Sequence, residues 1–186
     1  MCKKLLGENV AVLEQTIQLL DPRQVSRAVD LLRRSRRVVC MGQGSSMVLS
    51  EEAWTLFSTV SPKFLFVPDS HLQMNTLALM DPDELVLFFS YSGSTRDFQD
   101  LLEVARQRQV KVVLVSRFPK SPGGQLADVV LQCGADEGPL QAGSVNARMA
   151  QLFVLDVLFQ EFCMRAPEET EQSREQIAEA VARKHL

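Results

Sequence analysis

A run of small hydroxyl side chains, Ser90, Ser92, Ser94 and Thr95, interrupted by Tyr91 and Gly93, is the stretch best equipped for chemistry. It follows Leu85-Val86-Leu87-Phe88-Phe89, a continuous apolar run of strand length, and precedes residues 96–108, whose periodicity is helical. The first backbone N–H groups of a helix are unpaired, and the helix dipole places positive potential there. Hydroxyls and a glycine at such a point make a small anion pocket. No lysine lies inside it, as one would in a Walker-type loop. The pocket therefore suits a compact phosphate monoester rather than a nucleoside triphosphate with its metal. A turn that only caps the helix, with Ser94 and Asp97 as a capping box, accounts for the same residues.

A second turn of similar design, Gly42-Gln43-Gly44-Ser45-Ser46, follows the apolar segment Val38-Val39-Cys40-Met41. As a dinucleotide fingerprint it is weak, because Met47 stands where a third glycine belongs. As one of a pair it is more telling. In a flavodoxin-like sheet of order 2-1-3-4-5, strands 1 and 3 are neighbours, and ligands bind in the crevice where their connections diverge. Both hydroxyl turns then face one crevice. Three further side chains are candidates. His71 follows an Asp69-Ser70 helix cap near a strand end, Glu137 sits in the loop Asp136-Glu137-Gly138-Pro139, and Arg148 opens a long helix. Taken alone, each has an ordinary structural account: a structural histidine, a solvated loop carboxylate, and an arginine paired with an acid on a neighbouring helix. The other histidine, His185, lies one residue from the C-terminus and carries no role.

Alternating strands and helices must position these turns. Val10, Leu13, Ile17 and Leu20 predict an amphipathic helix over 8–20, and Asp21-Pro22 ends it and starts a second. Arg33, Arg34, Arg36 and Arg37 read as a solvated helix end. Strands are predicted at 37–41, 63–67, 85–89, 110–115 and 127–131, with helices at 47–59 and after Asp69. Pro119, Pro122 and Gly123-Gly124 predict a loop. Residues 144–164 form a helix apolar around most of its circumference, which requires cover from the sheet or a second subunit. The tail from Glu168 is charged, helical and solvated. Apolar strands between helices predict a three-layer α/β fold, a five-stranded parallel sheet of order 2-1-3-4-5 with helices on both faces. One domain is expected over 1–186: helices in 1–35, the α/β core in 36–165, and a helical tail in 166–186.

The chain has 186 residues, 46% hydrophobic and 23% charged, with a net charge of −3. That balance gives no support for a nucleic-acid surface. No pair among Cys2, Cys40, Cys133 and Cys163 has metal-ligand spacing, so these predict reduced, mostly buried thiols of a cytoplasmic protein. No segment approaches membrane-spanning length, and no signal peptide, metal or cofactor is expected.

The two turns, with Asp69-Ser70-His71-Leu72-Gln73, Glu137 and Arg148-Met149-Ala150-Gln151-Leu152, resemble a SIS (sugar isomerase) domain. The similarity runs from Glu14 to about Gln160 and is greatest to the phosphosugar-sensing domain of RpiR/MurR-type transcriptional regulators. The resemblance implies that Ser46, Ser90, Ser92 and Thr95 hold a phosphate, with Ser45 and Ser94 adjacent. It also places His71, Glu137 and Arg148 near the sugar or at a subunit interface. Ala147 departs from the family pattern, since these regulators often carry serine there.

The function so implied is an effector-sensing, dimerising module that binds a phosphorylated sugar. The chain begins where the linker from the regulators' helix-turn-helix domain would end, so no DNA binding by this chain alone is expected. A homodimer or higher homo-oligomer is expected as well. A stand-alone aldose–ketose isomerase acting on a phosphosugar is the alternative, with Glu137 and His71 as its candidate acid and base.

Overall fold

The computed structural model describes residues 1–135 and 144–182. Five strands, β1 (Val38–Gly42), β2 (Phe64–Phe66), β3 (Leu85–Phe89), β4 (Lys111–Ser116) and β5 (Val129–Gln132), form one sheet. Its order is β2-β1-β3-β4-β5 and every pairing is parallel. Among the described residues eight helices surround it: α1 (Cys2–Leu19), α2 (Pro22–Arg34), α3 (Met47–Ser58), α4 (Ser70–Ala78), α5 (Arg96–Gln107), α6 (Pro122–Leu126), α7 (Val145–Met164) and α8 (Pro167–Ala182). A 3-10 turn at Gly44–Ser46 leads into α3.

β1 and β3 are buried on both faces, which is why they read as unbroken apolar runs. Side chains alternate across the sheet. Leu85, Leu87 and Phe89 join a core built with α2, α3 and α7. Val86 and Phe88 join a second core with α4 and α5. The first core is centred on Phe57, stacked on Phe64 at 4.3 Å, with Phe162 meeting both edge-on at 5.2 and 5.7 Å. Burying each ring contributes about 1.5–3 kcal/mol.

Three expectations need correction. α1 begins at Cys2 rather than residue 8. Its first turns are exposed and carry a Lys4–Glu8 pair at helical spacing instead of a buried stripe, so hydrophobic periodicity could not mark them. The proline-rich segment expected as a loop contains α6, with Pro122 at its first position and Ser121 as its cap. α7 meets one of its two expected covers, packing against the sheet and against α1, α2 and α3. Val145, Leu152 and Met164 are the large apolar side chains it leaves exposed.

The arginine cluster is the third. It is not simply solvated. Arg36 contacts Asp81, Asp83 and Glu84 at 3.2, 3.1 and 2.9 Å, and Arg37 Nη2 donates to Glu84 Oε2 at 2.8 Å. The Glu84 side chain is fully buried. Burial pushes its carboxyl upward. The Arg37 hydrogen bond, the Asp81 N–H and the charges of Arg37 and Arg36 outweigh this and hold it below its ordinary range. Arg33 reaches Glu169 at 3.2 Å and lies over the Phe162 ring, docking the start of α8. Cys40, Cys133 and Cys163 are buried, Cys2 is exposed, and all four are free thiols.

Candidate functional site

The turns after β1 and β3 meet at the C-terminal end of the sheet. Gly42 pairs with Phe89 in the register of the two strands, so the chain leaves both at the same level. A hollow of about 320 Å³ opens between them. Gln43, Gly44, Ser45, Ser46, Ser90, Tyr91, Ser92 and Thr95 line it, over a floor of Phe88 and Phe89.

Local backbone demands shape both turns. A Cβ at Gly42 would lie 2.5 Å from Ser50 Oγ and 2.7 Å from the Ser46 carbonyl, so α3 can approach β1 only over a glycine. Gly93 has φ of +61°, and a Cβ there would strike Ser121 Oγ. The β3 turn is also pinned to its neighbours. Ser90 N–H donates to the Val115 carbonyl at 3.1 Å. The Tyr91 carbonyl accepts from Arg117 N–H at 3.1 Å and Ser116 Oγ at 3.0 Å. Gln73, fully buried on α4, donates from Nε2 to the carbonyls of Gly42 at 3.0 Å and Val67 at 2.8 Å.

The hydrogen-bond accounting separates this hollow from the other helix ends. α2, α4, α6 and α7 each have a side-chain cap, from Asp21, Asp69, Ser121 and Ser144. α3 and α5, the two helices that start at the hollow, have none, and neither does α1, which starts at the first residues of the chain. The predicted Ser94–Asp97 box is absent: Thr95 occupies the cap position, and Ser94 Oγ turns back to the Ser92 carbonyl at 3.0 Å. Ser90 Oγ accepts from Gly93 N–H at 3.1 Å and Ser92 Oγ from Ser94 N–H at 3.3 Å. Acceptance leaves both hydroxyl protons to donate. The hydroxyls of Ser45, Ser46 and Thr95 make no hydrogen bond among the described residues. The hollow is thus lined by uncharged donors without protein acceptors, beside two uncapped helix N-termini. That arrangement meets a compact anion.

Ser45, Ser46, Ser90, Ser92 and Thr95 therefore come together. Ser94 is exposed and lines the neighbouring groove with Arg117, Phe118 and Lys120. His71 is exposed and lines an adjoining cleft with Gln43, Asp97 and Asp100. Arg148 is half-buried in the first turn of α7, where its N–H donates to the Ser144 carbonyl at 3.3 Å, and it does not line the hollow. Glu137 and His185 lie outside the described residues.

Sequence reasoning missed a hub at Ala135. This residue has φ of +74°. Its carbonyl accepts from Tyr91 Oη at 2.7 Å and Arg117 Nε at 3.1 Å, and its N–H donates to Gln15 Oε1 at 2.9 Å. Beside it, Gly134 N–H donates to Thr16 Oγ1 at 2.9 Å. The hydroxyl turn is thereby fastened to α1. The sequence carries no local sign of this hub, because Gln15 and Thr16 lie more than a hundred positions upstream. Among the described residues, no group of three or more His, Cys, Asp or Glu side chains could hold a metal. No described helix is long and apolar enough to cross a membrane.

A parallel sheet of this order, with a ligand-ready crevice between β1 and β3, defines a three-layer α/β binding domain. The model of the SIS domain matches residues 31–160, and the chain belongs to that family. It is similar to the HTH-type transcriptional regulator YbbH of Bacillus subtilis, 28% identical over 158 residues, covering 84% of this chain and 56% of YbbH. It is similar also to the HTH-type transcriptional regulator RpiR of Escherichia coli, 27% identical over 136 residues, covering 73% of this chain and 46% of RpiR. Among solved structures, the NanR protein of Vibrio vulnificus complexed with ManNAc-6P superposes with a TM-score of 0.91 at 25% identity, over 97% of this chain and 68% of that one. The chain spans about half the length of the regulators YbbH and RpiR.

Proposed function

We propose that the chain binds a phosphorylated sugar, with the phosphate between the two hydroxyl turns, and serves as the effector-sensing module of an RpiR-type regulator. One observation carries this. The two helices that begin at the hollow, α3 and α5, start without side-chain caps where their neighbours α2, α4, α6 and α7 have them, and the hydroxyls around them keep their protons. Among the described residues neither lysine nor arginine lines the hollow, so binding rests on oriented dipoles and stays reversible. The ManNAc-6P complex of NanR supports the ligand class, and the names of the regulators support the role.

Ser45, Ser46, Ser90, Ser92 and Thr95 hold the phosphate, and His71 faces the sugar. Glu137 and Arg148, assigned by resemblance alone, complete the sugar end. The whole chain acts as one domain, with helices in 1–35, a core in 36–165 and a tail in 166–186. It works in the cytoplasm as a homodimer or higher oligomer, through the apolar side chains Val10, Ile17 and Leu152 exposed on α1 and α7. It does not bind DNA by itself, because its net charge is −3 and Arg33, Arg36 and Arg37 are engaged in ion pairs.

Isothermal titration against hexose and pentose phosphates and their free sugars tests the ligand class. Sugar phosphates should bind and free sugars should not; equal binding of both contradicts it. A coupled assay at saturating sugar phosphate tests the role. Turnover in the ordinary enzymatic range of about 1–1000 per second would make the chain an isomerase instead of a sensor.

A further inference from the structure

The hydroxyl turn after β3 and the last turns of α1 are both fastened to Gly134-Ala135. Tyr91 lines the hollow between Ser90 and Ser92, and its Oη donates to the Ala135 carbonyl at 2.7 Å. A second route reaches the same oxygen. Arg117 N–H donates to the Tyr91 carbonyl at 3.1 Å, and Arg117 Nε donates to the Ala135 carbonyl at 3.1 Å. On the far side, Ala135 N–H donates to Gln15 Oε1 at 2.9 Å and Gly134 N–H to Thr16 Oγ1 at 2.9 Å. A Cβ at Gly134 would lie 2.9 Å from Thr16 N and from the Val12 carbonyl oxygen, so the backbone of α1 rests directly on this glycine. Gly134 and Ala135 are buried, so water competes little for these bonds.

Three features set this junction apart from plain packing. Ala135 has φ of +74°, a left-handed backbone that a residue with a Cβ keeps only where its surroundings dictate it. The contacts that dictate it come from the hydroxyl turn on its carbonyl and from α1 on its N–H. Thr16 is the one residue within α1 that is buried, and its Oγ1 both accepts from Gly134 and donates to the Val12 carbonyl at 2.7 Å. The hydroxyl turn, by contrast, closes only loosely on itself, with Ser92 Oγ accepting from Ser94 N–H at 3.3 Å. An anion gripped by Ser90 and Ser92 therefore orders a turn whose firmest outside tie leads to α1.

We infer that occupation of the hollow is passed through Ala135 to α1. The bound phosphate steadies Tyr91, Tyr91 steadies the Ala135 carbonyl, and Gln15 and Thr16 are held more firmly by the residues on the other side of that peptide. The inference rests on the phosphate occupying the hollow. A ligand that orders the turn bears part of the entropy cost of ordering whatever the turn is bonded to. The coupling is reciprocal, so whatever holds α1 in place raises the affinity of the hollow by the same factor. α1, exposed along most of its length, is thereby the element that reports the ligand.

The experiment is amide hydrogen exchange on the whole chain with and without saturating inorganic phosphate, whose binding is followed by isothermal titration. It uses the wild type and Gln15→Ala/Thr16→Val, which removes both acceptors on α1 and leaves the hollow untouched, with thermal melts to verify the fold. In the wild type, phosphate should slow exchange at Ile17, Gln18, Leu19 and Leu20 on the order of fivefold or more, and at the amides of α8 by about twofold or less. The variant should still bind phosphate, with affinity lowered by no more than that same factor of about five, and its α1 amides should respond by about twofold or less. A wild type that binds phosphate without slowing these amides, or a variant that binds and keeps the full slowing, overturns the inference while the phosphate site stands. Should the double variant fail to fold, Gln15→Ala alone takes its place, and undiminished slowing there overturns the inference equally. Failure of the wild type to bind inorganic phosphate removes the phosphate site itself, and the inference with it.

Discussion

The two ends of this one sheet are built on opposite principles. At the N-terminal ends of β1 and β3, Arg36, Arg37, Asp81, Asp83 and Glu84 satisfy one another, and a buried carboxylate is enclosed by two guanidinium groups. At the C-terminal ends of the same strands no charged residue among the described ones lines the hollow, and donors without protein acceptors surround it. Charge satisfied within the chain stabilises the fold and leaves nothing to offer a ligand. Donors without acceptors give up stability that a ligand can restore. The end that looks more electrostatic is therefore the structural one.

The sharpest break in that contrast comes from Arg36→Gln/Arg37→Gln, which strands the Glu84 carboxylate in the interior. Removing partners from a buried charge costs about 3–5 kcal/mol. Urea unfolding should show a loss of that size, with phosphate-ester affinity of the folded protein retained. The same network predicts a pH dependence. The Glu84 carboxyl is held low in the folded state, so its stabilisation is complete above the ordinary carboxylate range, about pH 4.3, and fades as pH falls through the folded value. Glu84→Gln should therefore flatten the acid limb of the stability curve. An unchanged limb would mean that the network is not linked to folding.

At the other end, Ser92→Asp places a carboxylate where the phosphate is proposed to sit. Like charges about 4 Å apart repel by roughly 4 kcal/mol at an effective dielectric near 20, so affinity should fall on the order of a hundredfold or more. Stability should move by less than about 1 kcal/mol, because Ser92 is half-exposed. Gln73→Leu sharpens the contrast by unsettling the hollow without touching it. It leaves the carbonyls of Gly42 and Val67 without their shared donor and should cost about 1–3 kcal/mol in chemical unfolding, with weakened ligand affinity as well. Tyr91→Phe should have the smallest effect, about 0.5–1.5 kcal/mol, since Arg117 still donates to the Ala135 carbonyl.

The strands and their order were legible because five apolar runs separated by helical periods leave a parallel sheet as the only economical arrangement. The meeting of Gly42–Ser46 with Ser90–Thr95 followed from that order. What remained hidden was set by contacts remote in sequence or by exposed backbone. The early start of α1 has no buried stripe to signal it. The fate of Arg36 and Arg37 depends on acids 45 to 48 positions downstream. Ser94 looked like a cap in the local pattern Ser-x-x-Asp, but the backbone places Thr95 at that position. The Ala135 hub joins α1, β4 and the hydroxyl turn through residues that no local spacing connects.

The central claim is that the C-terminal turns, and not the charged N-terminal end, hold a phosphate monoester. Titrating the isotopically labelled chain with a sugar phosphate and following backbone amide resonances tests it most directly. The amides of Gly44, Ser46, Ser92, Gly93 and Arg96 should shift and saturate together, while those of Arg36, Arg37, Asp81 and Glu84 stay in place. Saturating shifts at the arginine cluster, or none at the two turns, would contradict the account.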